Sequence, residues 1–140
     1  MISLTRRYRF PAAHVLAIPA ASDAENRRIY GKCANPAGHG HDYGVEVTVS
    51  GPLEARSGRV IDPARLDAIF EERVAKRMAH RMLNELPLFA GRELVPTAEN
   101  IARVVFEELA GPVAEVGEAR LQRVRVLETR RNSFVYGEME

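Results

Sequence analysis

Several features that would define other classes of protein are scarce in this sequence. Its 140 residues contain one cysteine, so a secreted domain held together by internal disulfides is excluded. No apolar run approaches the roughly 18 residues that a membrane-spanning helix needs. Basic residues also interrupt the N-terminus, where a signal peptide would need an apolar core. We therefore expect a cytoplasmic protein that has no membrane partner.

Neither sign of charge is in clear excess. Twenty Lys and Arg residues stand against 19 Asp and Glu residues, which leaves a formal net charge of +1 at pH 7. Binding to phosphate backbones usually needs a clustered positive excess, so we expect no nucleic-acid partner. The chain is 46% hydrophobic, which fits a globular fold, and its length predicts a single domain over residues 1–140.

Period-two patterns predict four strands. We expect strands over residues 2–10, from Tyr43 to Ser50 with Gly51-Pro52 as its end, over 120–128 and over 133–139, because apolar and polar residues alternate or β-forming residues cluster there. Residues 11–40 hold three prolines and three glycines, which predicts a long loop. Loops of this length in compact domains are usually functional.

Two helices are predicted between the second and third strands. Asp62 suits an N-cap and Pro63 suits the first helical position, while Thr97 suits a second N-cap. Gly111-Pro112 is expected to end the second helix. The order strand, strand, helix, helix, strand, strand predicts an α+β domain with a four-stranded antiparallel sheet and two helices on one face.

Three histidines form the clearest candidate for a chemical site. His39 and His41 are two residues apart at the mouth of a strand and therefore share one face. If the first two strands pair, His14 arrives beside them. Three histidines are a known ligand set for zinc in a catalytic site, with one position left open. A lone H-x-H pair is more often structural, but the third histidine favours a metal.

The sequence leaves the roles of other polar residues open. Cys33 can be a fourth metal ligand, an inert thiol or a base, and spacing alone does not choose between ligand and base. His80 on its own is expected to be a helix-end cap or a satisfied histidine rather than a catalyst, and Glu99 is expected to interact favourably with the helix dipole. Glu128 continues an apolar strand face and needs a partner, either an ion pair or a ligand.

Five motifs together carry a resemblance to a known family. They are Phe10-x-x-Ala13-His14, Cys33-x5-His39-Gly40-His41-x-Tyr43, His80-x-x-Leu83-Asn84, Pro96-Thr97-x-Glu99-Asn100 and Glu128-Thr129. In this order and spacing they resemble the 6-pyruvoyl-tetrahydropterin synthase family, which includes the related bacterial 6-carboxytetrahydropterin synthases. The resemblance covers nearly the whole chain.

The resemblance implies a fold, an assembly and a set of site residues. The fold would be the tunnelling fold (T-fold), and the assembly a homohexamer of two trimers whose sheets close into barrels, with active sites at subunit interfaces. The implied zinc ligands are His14, His39 and His41. The implied catalytic residues are Cys33 and His80, the latter reaching a neighbouring subunit's site. The implied pterin-binding residues are Glu128, Thr97 and Glu99.

The reaction that the resemblance implies is elimination of triphosphate from 7,8-dihydroneopterin triphosphate to give 6-pyruvoyl-tetrahydropterin. The spacing C-x5-H-G-H is closer to this branch than to the C-x3-H-G-H of the carboxy-forming branch. That branch, which makes 6-carboxytetrahydropterin for queuosine-type deazapurines, is the alternative. The family usually has an aspartate immediately before the catalytic histidine, where this sequence has Ala79. A catalytically weak pterin-binding homologue is therefore a further alternative.

Overall fold

The fold is a four-stranded antiparallel sheet with helices packed on one face, as predicted. In the computed structural model, which describes residues 1–139, the strands lie side by side in chain order. They are β1 (Ile2–His14), β2 (His39–Gly51), β3 (Arg120–Leu127) and β4 (Ser133–Gly137). The strand order and the antiparallel pairing confirm the predicted α+β class.

The first hairpin is longer than the sequence predicted. β1 continues past Phe10 through Pro11 to His14, and β2 begins at His39 rather than Tyr43. Pro11 is tolerated because β1 is an edge strand, so its missing N–H removes no essential bond of the sheet. The extra pairs at this end place the histidines at the tip of the hairpin.

The prediction of one long loop over residues 11–40 was wrong. Besides the two strand ends, this stretch contains helix α1 (Asp23–Tyr30), which Ser22 caps by accepting the backbone N–H of Glu25, and a 3-10 turn (Gly31–Ala34). α1 is mostly exposed and polar, with Asn26 as its one buried residue. Because it buries almost no apolar face, it carries no hydrophobic periodicity that a sequence pattern can detect.

Helix α2 (Pro63–Phe70) begins where the sequence predicted. The Asp62 side chain accepts the backbone N–H of Ala64 at 3.0 Å, and Pro63 occupies the first turn. The helix continues through a π-helical turn (Glu71–Ala75) and a further short helical segment (Lys76–Met78). A 3-10 turn (Leu83–Glu85) and a short helix (Pro87–Ala90) follow.

Helix α3 (Ala98–Glu115) is capped by Thr97, whose hydroxyl accepts the backbone N–H of Asn100 at 3.2 Å. The predicted end at Gly111-Pro112 was wrong, because the helix runs one more turn. Val113 in that turn is fully buried in the core, and this burial offsets the hydrogen bond that Pro112 cannot make.

The two faces of the sheet differ in character. Tyr43, Val45, Val47 and Val49 of β2 are fully buried against the helices, as the period-two pattern predicted. The opposite face is polar, and Glu46 there lies between Arg7 and Arg125. Within residues 1–139, none of the helices combines the length and apolar character that crossing a bilayer requires.

Candidate metal centre

Three histidines at the end of the first hairpin come together in space, although His14 lies 25 residues before His39 in the sequence. His14 is the last residue of β1 and His39 the first of β2, and the register pairs them directly. His41, opposite Ala12, projects on the same face as His39. One ring nitrogen of each histidine lies within 4.8 Å of the others. The predicted cluster is therefore present, and it can hold a metal ion.

His14 is held by a backbone carbonyl. Its Nδ1 lies 2.7 Å from the carbonyl oxygen of Pro96, just before α3, and its side chain is 0% exposed. Because a carbonyl oxygen only accepts, Nδ1 carries the proton and Nε2 keeps its lone pair. Nε2 faces the cluster and lies 2.9 Å from Nε2 of His39. This is the tautomer in which a histidine binds a metal through Nε2.

The environment of the cluster favours neutral imidazoles. The pKa of His14 is lowered from 6.5 to about 4, mainly by burial and in smaller part by the neighbouring His39 and His41, while the hydrogen bond to the Pro96 carbonyl opposes the change. Burial also lowers the pKa of His39, and a positive charge on His41 would lower it more. Metals bind the deprotonated nitrogen, so these two side chains are ready for binding at neutral pH.

His41 provides independent support for a metal ion bound in the cluster. Its Nε2 is buried and has no hydrogen-bond partner among residues 1–139. Most buried polar groups are paired, so an orphaned ring nitrogen that faces two other histidines needs an explanation. A metal ion that accepts the lone pair of each ring would satisfy all three side chains.

Two further side chains border the cluster. Glu128 lies directly after β3, and its Oε2 is 3.9 Å from Nε2 of His14. The carboxylate that continues the apolar face of the strand therefore faces the histidines. Tyr43 is fully buried, and its hydroxyl lies 3.2 Å from Nδ1 of His14. Burial raises the pKa of Tyr43, and the negative charge of Glu128 raises it further. Sequence reasoning gave Tyr43 no role, although His39, His41 and Tyr43 alternate on one strand face.

Cys33 acts electrostatically on Tyr43 but is not part of the cluster. The group of mutually close ligand atoms within residues 1–139 contains the three histidines only. Cys33 is half-buried in the 3-10 turn, and its carbonyl accepts the backbone N–H of Leu16 at 2.9 Å. This arrangement favours the hypothesis that Cys33 is not a metal ligand and that the fourth coordination position is open.

Two asparagines hold the segment that joins His14 to α1. The side chain of Asn84 bonds both the N–H and the carbonyl of Val15, each at 2.8 Å. The side chain of Asn26 bonds the N–H and the carbonyl of Ile18 at 2.7 and 3.2 Å. The segment is therefore held by hydrogen bonds to Asn84 and Asn26, and by the backbone hydrogen bond from its Leu16 N–H to the Cys33 carbonyl. Asn84 belongs to a motif that the sequence singled out, but its structural role was not predicted.

The remaining predicted residues lie at different distances from the cluster. Thr97 follows Pro96, whose carbonyl contacts His14, so the start of α3 borders the site. Glu99 is exposed in the first turn of α3. His80 is also exposed, outside the histidine cluster, and its backbone N–H donates to the Pro11 carbonyl at 2.7 Å on the edge of β1 that faces away from β2.

Comparison with known families gives a match over almost the full length. The family model described as 6-pyruvoyl tetrahydropterin synthase matches residues 3–139. The human protein named 6-pyruvoyl tetrahydrobiopterin synthase is 40% identical over 134 residues, which cover 95% of this chain and 89% of the human one.

Two other relatives extend the comparison to structure and to a second named activity. The structure of 6-pyruvoyl tetrahydropterin synthase from Caenorhabditis elegans superposes with a TM-score of 0.86 at 35% identity, covering 97% of this chain and 94% of that one. A protein from Archaeoglobus fulgidus, named as a putative 6-carboxy-5,6,7,8-tetrahydropterin synthase, is 41% identical over 90 residues, covering 64% of this chain and 67% of its own.

Proposed function

Because the chain belongs to the 6-pyruvoyl tetrahydropterin synthase family, we propose that it is a zinc-dependent lyase. Its substrate in this proposal is 7,8-dihydroneopterin triphosphate, from which it eliminates triphosphate to give 6-pyruvoyl-tetrahydropterin. The observation that carries the proposal is the cluster of three histidines with an orphaned, buried Nε2 on His41. The 40% identity to the human synthase supports the choice of reaction.

The metal ligands in this proposal are His14, His39 and His41. Zinc bound there would act as a Lewis acid on the hydroxyl groups of the substrate side chain. The Pro96 carbonyl keeps the proton of His14 on Nδ1, which leaves Nε2 free for the metal. Three imidazoles without Cys33 match the open ligand set of catalytic zinc rather than the closed set of structural zinc.

Proton transfer is assigned to Cys33 and His80. Cys33, in the turn beside the cluster, would move protons as a thiolate on one face of the substrate. His80 lies outside its own chain's cluster, which supports a role in the site of a neighbouring subunit. We therefore propose a homohexamer made of two trimers, in which sites form at subunit interfaces.

Pterin binding is assigned to Glu128, Thr97 and Glu99. The Glu128 carboxylate faces the cluster and can accept hydrogen bonds from the N–H groups of the pterin ring. Thr97 and Glu99 at the start of α3 would form the rest of the wall. Contact of Pro96 with His14 supports this placement, because it brings the N-terminus of α3 to the histidines.

Formation of 6-carboxytetrahydropterin is the second candidate. The relative from Archaeoglobus fulgidus that carries this name favours it. The spacing of Cys33 to His39 favours the pyruvoyl-forming reaction instead. A pterin-binding protein without turnover is the third, motivated by Ala79 beside His80.

A steady-state assay with 7,8-dihydroneopterin triphosphate tests the proposal. We expect release of triphosphate, and mass spectrometry of the product separates the pyruvoyl from the carboxy compound. Tight binding of the pterin with no release of triphosphate would overturn the assignment as an enzyme and support the binding protein.

A further inference from the structure

A short stretch of chain, residues 80–84, runs along the edge of β1 that faces away from β2. The His80 N–H donates to the Pro11 carbonyl at 2.7 Å, and the Ala13 N–H donates to the Arg81 carbonyl at 2.9 Å. The pairing is parallel, as between two strands of a sheet. This stretch therefore covers the edge of β1 at the end that carries the histidine cluster.

Asn84 continues this pairing with its side chain. The chain leaves the line of β1 where the 3-10 turn (Leu83–Glu85) begins. The Asn84 carboxamide takes over from the backbone, because its Oδ1 accepts the Val15 N–H and its Nδ2 donates to the Val15 carbonyl, each at 2.8 Å. A carboxamide offers the same kinds of donor and acceptor as a peptide group. One side chain therefore pairs both backbone groups of a residue that is 69 positions away in the sequence.

Val15 joins two parts of the proposed site. It directly follows His14, the last residue of β1 and a candidate metal ligand. The next residue, Leu16, donates its N–H to the Cys33 carbonyl at 2.9 Å, which attaches the 3-10 turn around Cys33 (the Cys33 turn) to this stretch. A shift of Val15 would therefore move both the backbone of His14 and the attachment of the Cys33 turn.

Gly38 shows how closely the same stretch packs against the start of β2. Its φ is +78°, which favours glycine. A β-carbon at this position would lie 3.4 Å from the His14 carbonyl oxygen and 3.4 Å from Cγ2 of Val15. Val15 therefore packs against the residue that directly precedes His39, a second candidate metal ligand.

We propose that Asn84 is a positioning residue for the metal centre and for the Cys33 turn. By pairing both backbone groups of Val15, it fixes the point where His14 leaves β1 and the stretch to which the Cys33 turn is attached. This matters because a backbone that is loose before the metal binds must be ordered during binding, which lowers affinity. The inference rests on the proposed function, in which the histidines bind zinc and Cys33 transfers a proton.

Asn26 provides a matched control within the same stretch of chain. Its side chain also bonds the N–H and the carbonyl of one residue, Ile18, at 2.7 and 3.2 Å. Ile18 lies beyond both His14 and the Leu16 N–H that attaches the Cys33 turn. We therefore expect Asn26→Ala to lower the stability of the protein while keeping its zinc affinity and its turnover.

Asn84→Ala removes both bonds to Val15 and is followed by two measurements. We expect the zinc affinity, measured by competition with a chelating dye, to fall about tenfold, at the lower end of the loss typical for outer-shell partners. At saturating zinc, kcat for triphosphate release should fall about tenfold to hundredfold, because a displacement of about 1 Å in a site can have that effect. KM should stay within about threefold, since the proposed pterin-binding residues Glu128 and Thr97 belong to other elements.

Asn84→Asp is a graded second variant. Its carboxylate can accept the Val15 N–H but cannot donate to the Val15 carbonyl. We therefore expect its zinc affinity and kcat to lie between those of the unmodified protein and those of Asn84→Ala. Because it keeps one of the two bonds, it also allows the comparison with Asn26→Ala if Asn84→Ala does not fold.

The comparison with Asn26→Ala separates positioning from a general loosening of the chain. Equal losses of zinc affinity and turnover in the Asn84 and Asn26 variants would overturn the proposal, and so would unchanged values in both Asn84 variants. An unmodified protein that binds zinc but releases no triphosphate would refute the proposed function instead. The zinc affinities would then still decide whether Asn84 positions the metal centre.

Discussion

His14 and His39 are direct cross-strand partners at the end of the first hairpin, and their Nε2 atoms lie 2.9 Å apart. The distance is short because His14 is fixed from behind by the Pro96 carbonyl and His39 by its place in the β-ladder. Two ring nitrogens at this distance form a preorganised pair of ligands once a metal ion replaces any proton between them. The third, Nε2 of His41, is buried without a partner among the described residues.

Replacing His39 by alanine should abolish metal binding. Two histidines rarely hold zinc, so we expect affinity to fall by more than the tenfold to hundredfold typical of losing an outer-shell partner. Elemental analysis after dialysis measures this directly. His80→Ala is the control and should keep the metal, since His80 lies outside the cluster. Equal metal content in the two variants would contradict the ligand assignment.

Replacing Cys33 by alanine should separate binding from turnover. If the thiol is a base beside an open metal site, the variant keeps its metal and loses triphosphate release by at least about a hundredfold. If Cys33 is a fourth ligand, the same change lowers metal content instead. Metal analysis and an activity assay on one preparation therefore distinguish the two roles.

The stability of the protein stripped of metal should fall between about pH 6.5 and pH 4. Burial lowers the pKa of His14 to about 4, whereas the unfolded chain keeps about 6.5. In that interval the unfolded state binds more protons than the folded state. The contribution of His14 to the free energy of unfolding is therefore fully present above pH 6.5 and is lost as the pH falls towards 4. A shift of this size corresponds to about 3 kcal/mol in the free energy of unfolding.

Urea unfolding of the chelator-treated protein at pH 7.5, 6 and 5 measures this dependence. The lowered pKa of His39 adds to the effect in the same direction. His14→Gln should flatten the curve. A steep loss of stability that survives His14→Gln would assign the acid sensitivity to other groups.

Replacing Asp67 by asparagine should lower stability at neutral pH by about 1 kcal/mol. The Arg6 guanidinium bonds both oxygens of Asp67 at 2.8 and 2.7 Å, and the Tyr8 hydroxyl donates to the same carboxylate at 2.8 Å. Arg6 holds the pKa of Asp67 at about 2. The side chains are 44% and 40% exposed, so solvent screens the pair and the effect stays small.

The contribution of Asp67 should be present above pH 4 and disappear as the pH falls through 2, because its pKa is depressed on folding. Glu72→Gln, which removes a more exposed pair with Lys76, is the control and should change stability by less than about 0.5 kcal/mol. An equal change in the free energy of unfolding for the two substitutions would show that the Arg6 and Tyr8 contacts stabilise the protein no more than an exposed ion pair does.

Much of the fold was predictable from local patterns. Burial alternates from Tyr43 to Val47 as the residue types alternate in the sequence, although Thr48 is buried too. Asp62 and Thr97 cap the two helices that they were expected to cap. The predictions failed where burial of side chains, rather than a local pattern, determines whether a helix forms or where it ends. The polar helix α1 has no apolar periodicity, and Val113 draws the end of α3 past Pro112.

The sequence by itself determined the ligand types and their spacing. His39 and His41 share a strand face by the period of a strand, so their proximity was fixed locally. Tertiary structure decided what no local pattern holds: the Pro96 carbonyl that sets the tautomer of His14, the burial that lowers its pKa, and the approach of Glu128. Those properties depend on distances between segments far apart along the chain, and only the register of the sheet and the packing of α3 set those distances.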